Sequence, residues 1–210
     1  MPICYEFLVL PFVEIEIRLG TILKNSFGSS IDKKYFEKIR DSLETGKWRT
    51  ISNINTIEYI KSEKGKKSNL KLITDITNES KSQLILKENV YTEDFQMKSS
   101  PFDVRYSINQ EFNMNSQIST FSKCDCVIRN KSRKSFIQDN FKYDLTVVNE
   151  NIDGVLKTKY EIEIELLVND DTLSWSPGYI NDFLECKVYD LVNIVESIKR
   201  ESFKLTFVKN

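Results

Sequence analysis

Two short stretches near opposite ends of the chain alternate acidic and apolar residues. The first reads Glu-Ile-Glu-Ile-Arg at residues 14–18, and the second reads Glu-Ile-Glu-Ile-Glu at residues 161–165. Because successive side chains of a β-strand point to opposite faces, each stretch would gather its charged groups on one face. The carboxylates are those of Glu14, Glu16, Glu161, Glu163 and Glu165. Hard oxygen ligands at this spacing suit Mg²⁺ or Mn²⁺, so neighbouring strands would predict a metal-dependent enzyme that acts on phosphates.

The same alternation also fits an ordinary strand that is apolar on one face and solvated on the other. A single such strand would favour this simpler interpretation. Two of them, together with the charges on the strands between them, favour a site. The non-enzymatic alternative is a β-barrel or sandwich interaction module whose charged faces only keep it soluble.

Composition limits the possible chemistry. The chain has 210 residues, of which 40% are hydrophobic, so we expect one domain spanning residues 1–210. The formal net charge of -1 provides no general basic field for attracting nucleic acid. Histidine is absent, which excludes a Ser-His-Asp triad, a Cys-His pair, a His-ligated zinc ion and an imidazole base.

The four cysteines, Cys4, Cys124, Cys126 and Cys186, indicate a compartment rather than a reaction. The Cys-x-Cys pair lacks a second pair, so it is more consistent with two strand residues than with a metal or redox site. Sparse cysteine, with no signal peptide or apolar run of transmembrane length, predicts an intracellular, reducing location and no membrane association.

Hydrophobic periodicity predicts a mainly β (α+β) protein with two principal helices. The helices are expected at residues 32–43 and, starting from Ser176 and Pro177, up to Ile198. Residues 1–12 are expected to form a strand or a packing segment, and Gly20 to mark a bulge or a close approach. Eight strands are predicted at residues 13–23, 48–59, 70–77, 83–90, 102–112, 123–137, 141–148 and 156–168.

Most of these strands have one charged and one apolar face, with acid concentrated in the terminal strands and base in the middle ones. A closed barrel explains this distribution, since its apolar side can pack beneath helices while its polar side faces a lumen. Uncompensated charges in a narrow lumen are costly. A triphosphate bound with a divalent cation would compensate both the bases and the acids.

At this point the sequence resembles a known family. Residues 13–20 and 160–166 are similar to the two signature acidic strands of the triphosphate tunnel metalloenzymes. Within that group the chain is most similar to the RNA 5′-triphosphatases of mRNA capping in fungi and in large DNA viruses of the mimivirus type. The resemblance spans roughly residues 13–200. The intervening motifs follow in the family's order, at Lys71 with Asp75 and at residues 84–87, 102–111, 131–137 and 142–146.

The resemblance implies a fold and a reaction. The fold would be a closed barrel of eight antiparallel strands, a triphosphate tunnel with a few helices packed outside. The reaction would be hydrolysis of the γ-phosphate from triphosphate-ended RNA, the first step of mRNA capping. Free nucleoside triphosphates would be hydrolysed as a side activity, with Mg²⁺ or Mn²⁺ as the cofactor.

The resemblance also implies residue roles, carried over by position. Glu14, Glu16 and Glu165 would be the direct metal ligands, with Glu161 and Glu163 completing an acidic floor. Glu111 would orient or deprotonate the attacking water, and Arg105, Lys131 and Arg133 would act beside it in catalysis. The side chains expected to bind phosphate are Lys71, Lys87, Arg105, Lys131, Arg133 and Lys142. Lys142 and Asp144 would also form a supporting pair that holds the basic side chains. The family carries Arg where Lys71 and Lys142 stand and Lys where Arg105 stands, a change between a bidentate fork and a point charge.

Other members of the tunnel group remain alternatives, among them tripolyphosphatases, thiamine-triphosphatase-like enzymes and polyphosphate polymerases. These typically carry Lys where Arg18 stands. The expected partners are triphosphate-ended RNA, nucleoside triphosphates and a guanylyltransferase, and the domain could be the N-terminal module of a larger capping enzyme. We expect a monomer, and for a viral protein a location in the host cytoplasm or the virion.

Overall fold

The computed structural model of the protein describes residues 5–24, 26–63, 66–98, 100–152, 154–196 and 206–207. Cys4 and Ile198, which entered the predictions above, lie outside them. The strands in this part of the chain are β1 (Val13–Leu23), β2 (Ser26–Gly28), β3 (Thr50–Glu63), β4 (Lys66–Asp75), β5 (Gln83–Gln96), β6 (Asp103–Asn113), β7 (Cys126–Ile137), β8 (Phe141–Ile152), β9 (Val155–Leu166) and β10 (Thr206–Phe207). The helices are α1 (Tyr5–Leu8), α2 (Lys33–Glu44), α3 (Asp170–Leu173) and α4 (Pro177–Val195), with short 3-10 helices at Glu79–Lys81 and Asn115–Thr120.

Eight of the described strands close into an antiparallel barrel. Their order around the ring is β1, β6, β5, β4, β3, β7, β8 and β9, and β9 pairs again with β1. The short strand β2 extends the sheet beside β1, and β10 pairs with β5. The predicted closed barrel of eight antiparallel strands with external helices is therefore confirmed.

The apolar faces of the strands form the core on one outer side of the barrel. Ile15 and Ile17 of β1 and Ile164 of β9 are fully buried there. They belong to one cluster with Leu184 and Val188 of α4, which shows that the long helix packs against the outside of the sheet. Burial of these side chains stabilises the barrel and leaves the opposite, charged faces toward the lumen.

The two acidic strands are direct neighbours. In the pairing of β1 with β9, Glu16 lies opposite Glu165, and Arg18 lies opposite Glu163. On the other side of β9, Lys142 of β8 lies opposite Glu165. The fold therefore places carboxylates from both ends of the chain on one wall of the lumen.

Several details differ from the sequence-based expectations. Residues 5–12, the described part of the first segment, contribute helix α1 rather than a strand, and its Leu8 is buried, as expected of a packing segment. Cys124 lies in a turn, so only Cys126 of the pair belongs to a strand, and both are free thiols. Strand β5 continues six residues beyond the predicted end at 90. None of the described helices is long and apolar enough to cross a bilayer.

Candidate active site

Two adjoining cavities occupy the barrel interior. The first, here called the carboxylate chamber, has a volume of about 350 Å³, and the second, the polar chamber, about 390 Å³. Both are lined by a shared set of side chains, so they are two halves of one lumen. The shared residues are Glu16, Arg18, Glu58, Lys71, Lys87 and Lys131.

The carboxylate chamber contains two glutamates that lack sufficient positive charge. The Lys87 ammonium donates a hydrogen bond to Glu14, yet burial and the neighbouring Glu16 carboxylate raise the pKa of Glu14. Burial and the Glu14 carboxylate raise the pKa of Glu165 to about 7, although the Lys142 Nζ lies 2.8 Å from its Oε2. The raised pKa values show that nearby cations compensate these carboxylates only in part.

Glu163 differs from its neighbours because two arginines surround it. The Arg18 Nε lies 2.9 Å from Glu163 Oε1, and the Arg133 Nη2 lies 3.1 Å from Glu163 Oε2. Burial opposes ionisation of Glu163, but Arg18 and Arg133 together lower its pKa below the ordinary value. Glu163 is thus already paired, and it holds the two guanidinium groups in place.

The donor set of the chamber fits a divalent cation. Among the described residues no three Asp, Glu, Cys or His side chains are yet gathered closely enough to hold a metal ion. However, Glu14 and Glu165 lack the charge that a cation would supply. Glu16 lies on the same face of β1 as Glu14 and directly opposite Glu165 of β9. Their hard oxygen atoms are the ligands that Mg²⁺ and Mn²⁺ prefer.

The basic residues of the chamber are buried and strongly paired. The Lys131 Nζ lies 2.6 Å from Glu58 Oε1, and burial lowers the pKa of Lys131. Arg133 donates hydrogen bonds to Thr146, Asp144 and Glu163 at 2.9 to 3.1 Å. Such a fork is held in one orientation, ready to bind phosphate oxygens without further ordering.

Glu111 lies among lysines on β6, the strand that pairs with β1. Its Oε1 is 3.2 Å from the Lys71 Nζ and 3.6 Å from the Lys87 Nζ. Burial raises the pKa of Glu111, but Lys71 and Lys87 outweigh burial and lower it. Glu111 is therefore an ionised acceptor near neutral pH, able to orient a water molecule and only weakly basic.

Comparisons with known proteins agree with this geometry. Residues 33–201 match the family described as the mRNA capping enzyme, beta chain. The chain belongs to this family. The matched range begins after β1, so the positions of Glu14 and Glu16 are supported by the barrel geometry rather than by the family match.

Solved structures share the fold of this capping-enzyme family member. The S. pombe Pct1 RNA triphosphatase matches with a TM-score of 0.66 and 18% identity, over 90% of this chain and 85% of that one. The structure of Pct1 in complex with the Spt5 CTD matches with a TM-score of 0.69 and 16% identity, over 90% of both chains. The mimivirus capping enzyme triphosphatase matches with a TM-score of 0.60 and 16% identity, over 91% of this chain and 94% of that one. A comparison with curated protein sequences finds no match.

Two of the predicted site residues lie away from the carboxylate chamber. Arg105 lines only the polar chamber, where its Nε and Nη2 bind the Asp94 carboxylate at 2.7 and 2.9 Å. Glu161 lines neither chamber and accepts hydrogen bonds from Arg129 and Ser29. The structure brings the other predicted residues together around the carboxylate chamber, namely Glu14, Glu16, Glu163, Glu165, Lys71, Lys87, Glu111, Lys131, Arg133 and Lys142.

Sequence reasoning gave no role to Glu58, which is 4% exposed and pairs with both Lys131 and Arg129. Isoleucines at 54 and 60 also line the lumen from β3, so no alternation of charge marks Glu58 in the sequence. Sequence reasoning likewise gave no role to Asn109, whose Nδ2 donates to Glu16 Oε1 at 3.0 Å. The pairing of Glu58 with Arg129 follows from the register of β3 on β7, which the structure shows and the sequence pattern does not mark.

Proposed function

We propose that the protein is a divalent-cation-dependent RNA 5′-triphosphatase. It would hydrolyse the γ-phosphate of triphosphate-ended RNA to leave a diphosphate end for capping, and would hydrolyse free nucleoside triphosphates as a side activity. The observation that carries the proposal is the enclosed chamber, in which the under-compensated Glu14 and Glu165 carboxylates lie beside lysines and arginines. Family membership supports the substrate class.

Glu14, Glu16 and Glu165 would hold Mg²⁺ or Mn²⁺, whose charge would neutralise that of the γ-phosphate oxygens. Lys71, Lys131 and Arg133 would bind the β- and γ-phosphates from the other walls. Lys87 and Lys142 now contact the three metal-binding candidates, so they would exchange glutamate oxygens for phosphate oxygens when substrate binds. Each of these contacts would strengthen as negative charge develops in the transition state.

Glu111 would orient the attacking water by accepting one of its protons in a hydrogen bond. Its lowered pKa keeps it ionised, so it is available as an acceptor at every turnover near neutral pH. Little proton transfer is required before a loose phosphoryl-transfer transition state, and an orienting role is therefore sufficient. Asp144 would hold Arg133 and Lys142 through contacts of 2.9 and 3.4 Å.

The wider setting is part of the same proposal. Residues 1–210 would form one RNA triphosphatase domain, acting as a monomer, whose product passes to a guanylyltransferase in the same polypeptide or a separate chain. An intracellular, reducing compartment is supported by Cys124 and Cys126, which are free thiols. For a viral protein, this would be the host cytoplasm or the virion.

The first test replaces one candidate metal ligand and follows phosphate release from triphosphate-ended RNA with Mg²⁺ or Mn²⁺. Glu14→Gln should lower turnover about a hundredfold, the scale at which one electrostatic group acts in a transition state. Glu88→Gln, on an exposed neighbour of Lys87, is the matched control and should leave turnover unchanged. Near wild-type turnover in a folded Glu14→Gln protein would refute the metal assignment.

The second test compares substrates. Triphosphate-ended RNA, ATP and tripolyphosphate are offered in parallel, and the RNA product is examined for a diphosphate end. A preference for RNA supports the proposal, whereas hydrolysis of tripolyphosphate alone would identify a tripolyphosphatase. If no triphosphate is hydrolysed with either metal, the interaction-module alternative stands.

A further inference from the structure

We infer that the polar chamber receives the 5′-terminal nucleoside of the substrate while the carboxylate chamber holds the γ-phosphate. The inference rests on the proposed triphosphatase function and assigns a direction to the RNA within the lumen. The two chambers differ in chemistry in a way that the triphosphate alone does not require.

Besides its charged residues, the polar chamber is lined by more neutral hydrogen-bonding side chains than the carboxylate chamber. They are the side chains of Ser68, Asn69, Asn89, Thr92, Ser107 and Asn109. In the carboxylate chamber, Thr56 and Gln83 are the neutral polar side chains among the residues that line it. Amides and hydroxyls both donate and accept, which suits ribose hydroxyls and base edges, whereas a phosphate offers only acceptors.

The order of groups in the substrate fixes which end lies in which chamber. The candidate metal ligands Glu14 and Glu165, and the water-orienting Glu111, line the carboxylate chamber alone, so the γ-phosphate must lie there. Lys71, Lys87 and Lys131 line both chambers and would follow the triphosphate between them. The nucleoside, at the opposite end of the triphosphate, then falls within the polar chamber.

Arg105 provides a rigid planar group in the polar chamber. Its guanidinium is forked onto Asp94 and lies 4.7 Å above the centre of the Phe27 ring. Bases that are not paired in a duplex commonly stack on guanidinium planes, and a group already fixed in orientation loses little freedom on binding. Arg105 would thus support the nucleoside or the phosphate next to it, rather than the γ-phosphate.

A chain of hydrogen bonds orients the neutral groups. The Asn109 Nδ2 donates to Glu16 Oε1 at 3.0 Å, and the Asn89 Nδ2 contacts Asn109 Oδ1 at 3.1 Å and Thr92 Oγ1 at 2.7 Å. The chain links a candidate metal ligand to the polar chamber through fixed amides. The chamber volume of about 390 Å³ lies within the range of about 300–1,000 Å³ for small-molecule sites.

The test measures binding by calorimetry in the presence of Mn²⁺, so that it does not depend on turnover. The ligands are a non-hydrolysable nucleoside triphosphate analogue and tripolyphosphate, which lacks a nucleoside. In the double variant Asn69→Ala/Thr92→Val, the Kd of the nucleotide should rise about tenfold, the typical effect of losing one or two hydrogen bonds. The Kd of tripolyphosphate should stay within about twofold, and Asn53→Ala, an exposed outer-face asparagine of β3, should change neither value.

An equal loss of affinity for both ligands, or no loss for either, would overturn the nucleoside assignment. Phosphate release from triphosphate-ended RNA is measured on the same wild-type preparation, which separates the two proposals. If wild-type protein releases no phosphate but shows the nucleotide-specific loss of affinity in the variant, the triphosphatase proposal fails while the nucleoside chamber stands. If the wild-type protein releases phosphate but the variant changes the Kd values of both ligands equally or not at all, only the nucleoside assignment fails.

Discussion

At the scale of single residues, Lys87 occupies the position where positive charge is most needed. Its Nζ contacts Glu14 and also lies 3.3 Å from Glu16 and 3.6 Å from Glu111. Burial disfavours the charged form, yet Glu16 and Glu14 raise the pKa of Lys87 above its ordinary value. The ammonium therefore stays charged and contacts the oxygen atoms that a divalent cation would use.

Lys87→Met should separate competition with the metal from phosphate binding. Without the ammonium, Glu14 and Glu16 lose a compensating charge, so Mn²⁺ should bind the substrate-free protein about tenfold more tightly. Turnover of triphosphate-ended RNA should nevertheless fall about a hundredfold, because a phosphate contact is lost. Titration of Mn²⁺ followed by electron paramagnetic resonance gives the affinity, and phosphate release gives the turnover.

The control for this change is Lys134→Met, which removes a lysine paired with Glu44 at the outer surface. Since both partners are partly exposed, the variant should alter neither Mn²⁺ affinity nor turnover. Weaker Mn²⁺ binding in Lys87→Met would contradict the expected competition and would show that the lysine supports the metal site.

At the scale of the elements, period-two alternation predicted all eight strands of the barrel. Alternation failed where the backbone departs from regular pairing. The register of β5 on β6 shifts between Asn89 and Tyr91. After this bulge, each residue of β5 lies on the face opposite to the one that regular alternation would give it. Because the alternation is interrupted there, a prediction from sequence ends at residue 90, while the strand continues to Gln96.

It was harder to predict which residues of each strand face the lumen. The acidic strands could be assigned because their glutamates alternate with buried isoleucines under α4. Strand β3 carries exposed Ile51 on its outer face and Ile60 on its inner face, so hydrophobicity does not distinguish the two. The separation of Arg105 from the carboxylate chamber follows from its place on β6, because it lies roughly 20 Å along the strand from Glu111.

Gly20→Ala tests how the β1–β2 hairpin positions Phe27. A Cβ at residue 20 would lie 2.2 Å from the Gly28 carbonyl oxygen and 2.5 Å from the Phe27 ring. The hairpin would have to shift, which should lower the free energy of unfolding by about 1–3 kcal/mol and move the ring away from Arg105. Chemical denaturation gives the stability, and the Kd of the nucleotide analogue should rise more than that of tripolyphosphate.

Gly178→Ala is the matched control, because a Cβ at that position in the first turn of α4 would meet no atom within 4 Å. Alanine is the better helix former, so this variant should be as stable as the wild type or more stable by up to about 1 kcal/mol. A Gly20→Ala protein that is as stable as Gly178→Ala would show that the hairpin relaxes without cost.

At the scale of the whole molecule, ring closure brings acidic and basic walls face to face across the lumen. The chain has nearly balanced charge, with 30 basic and 31 acidic residues. Inside the lumen, however, positive charge is distributed unevenly among the carboxylates. Glu163 is fully paired, whereas Glu14 and Glu165 are not. The family and the closed barrel are confirmed, while the metal and the roles of individual residues stay predictions that depend on this uneven compensation.

Uneven compensation predicts that Mn²⁺ and tripolyphosphate stabilise the folded protein together more than the sum of their separate effects. The metal would supply charge to the carboxylates and the anion would supply charge to the lysines and arginines, so each ligand removes a cost that the other leaves. At a hundredfold excess over the Kd, a ligand that binds only the folded state adds about 2.7 kcal/mol. For a chain of 210 residues this corresponds to a rise in Tm of about 5–10 °C, measurable in a thermal-shift titration. Glu14→Gln should abolish the synergy, while Glu88→Gln should retain it. A wild-type Tm that does not change when either ligand is added would favour a barrel that binds neither.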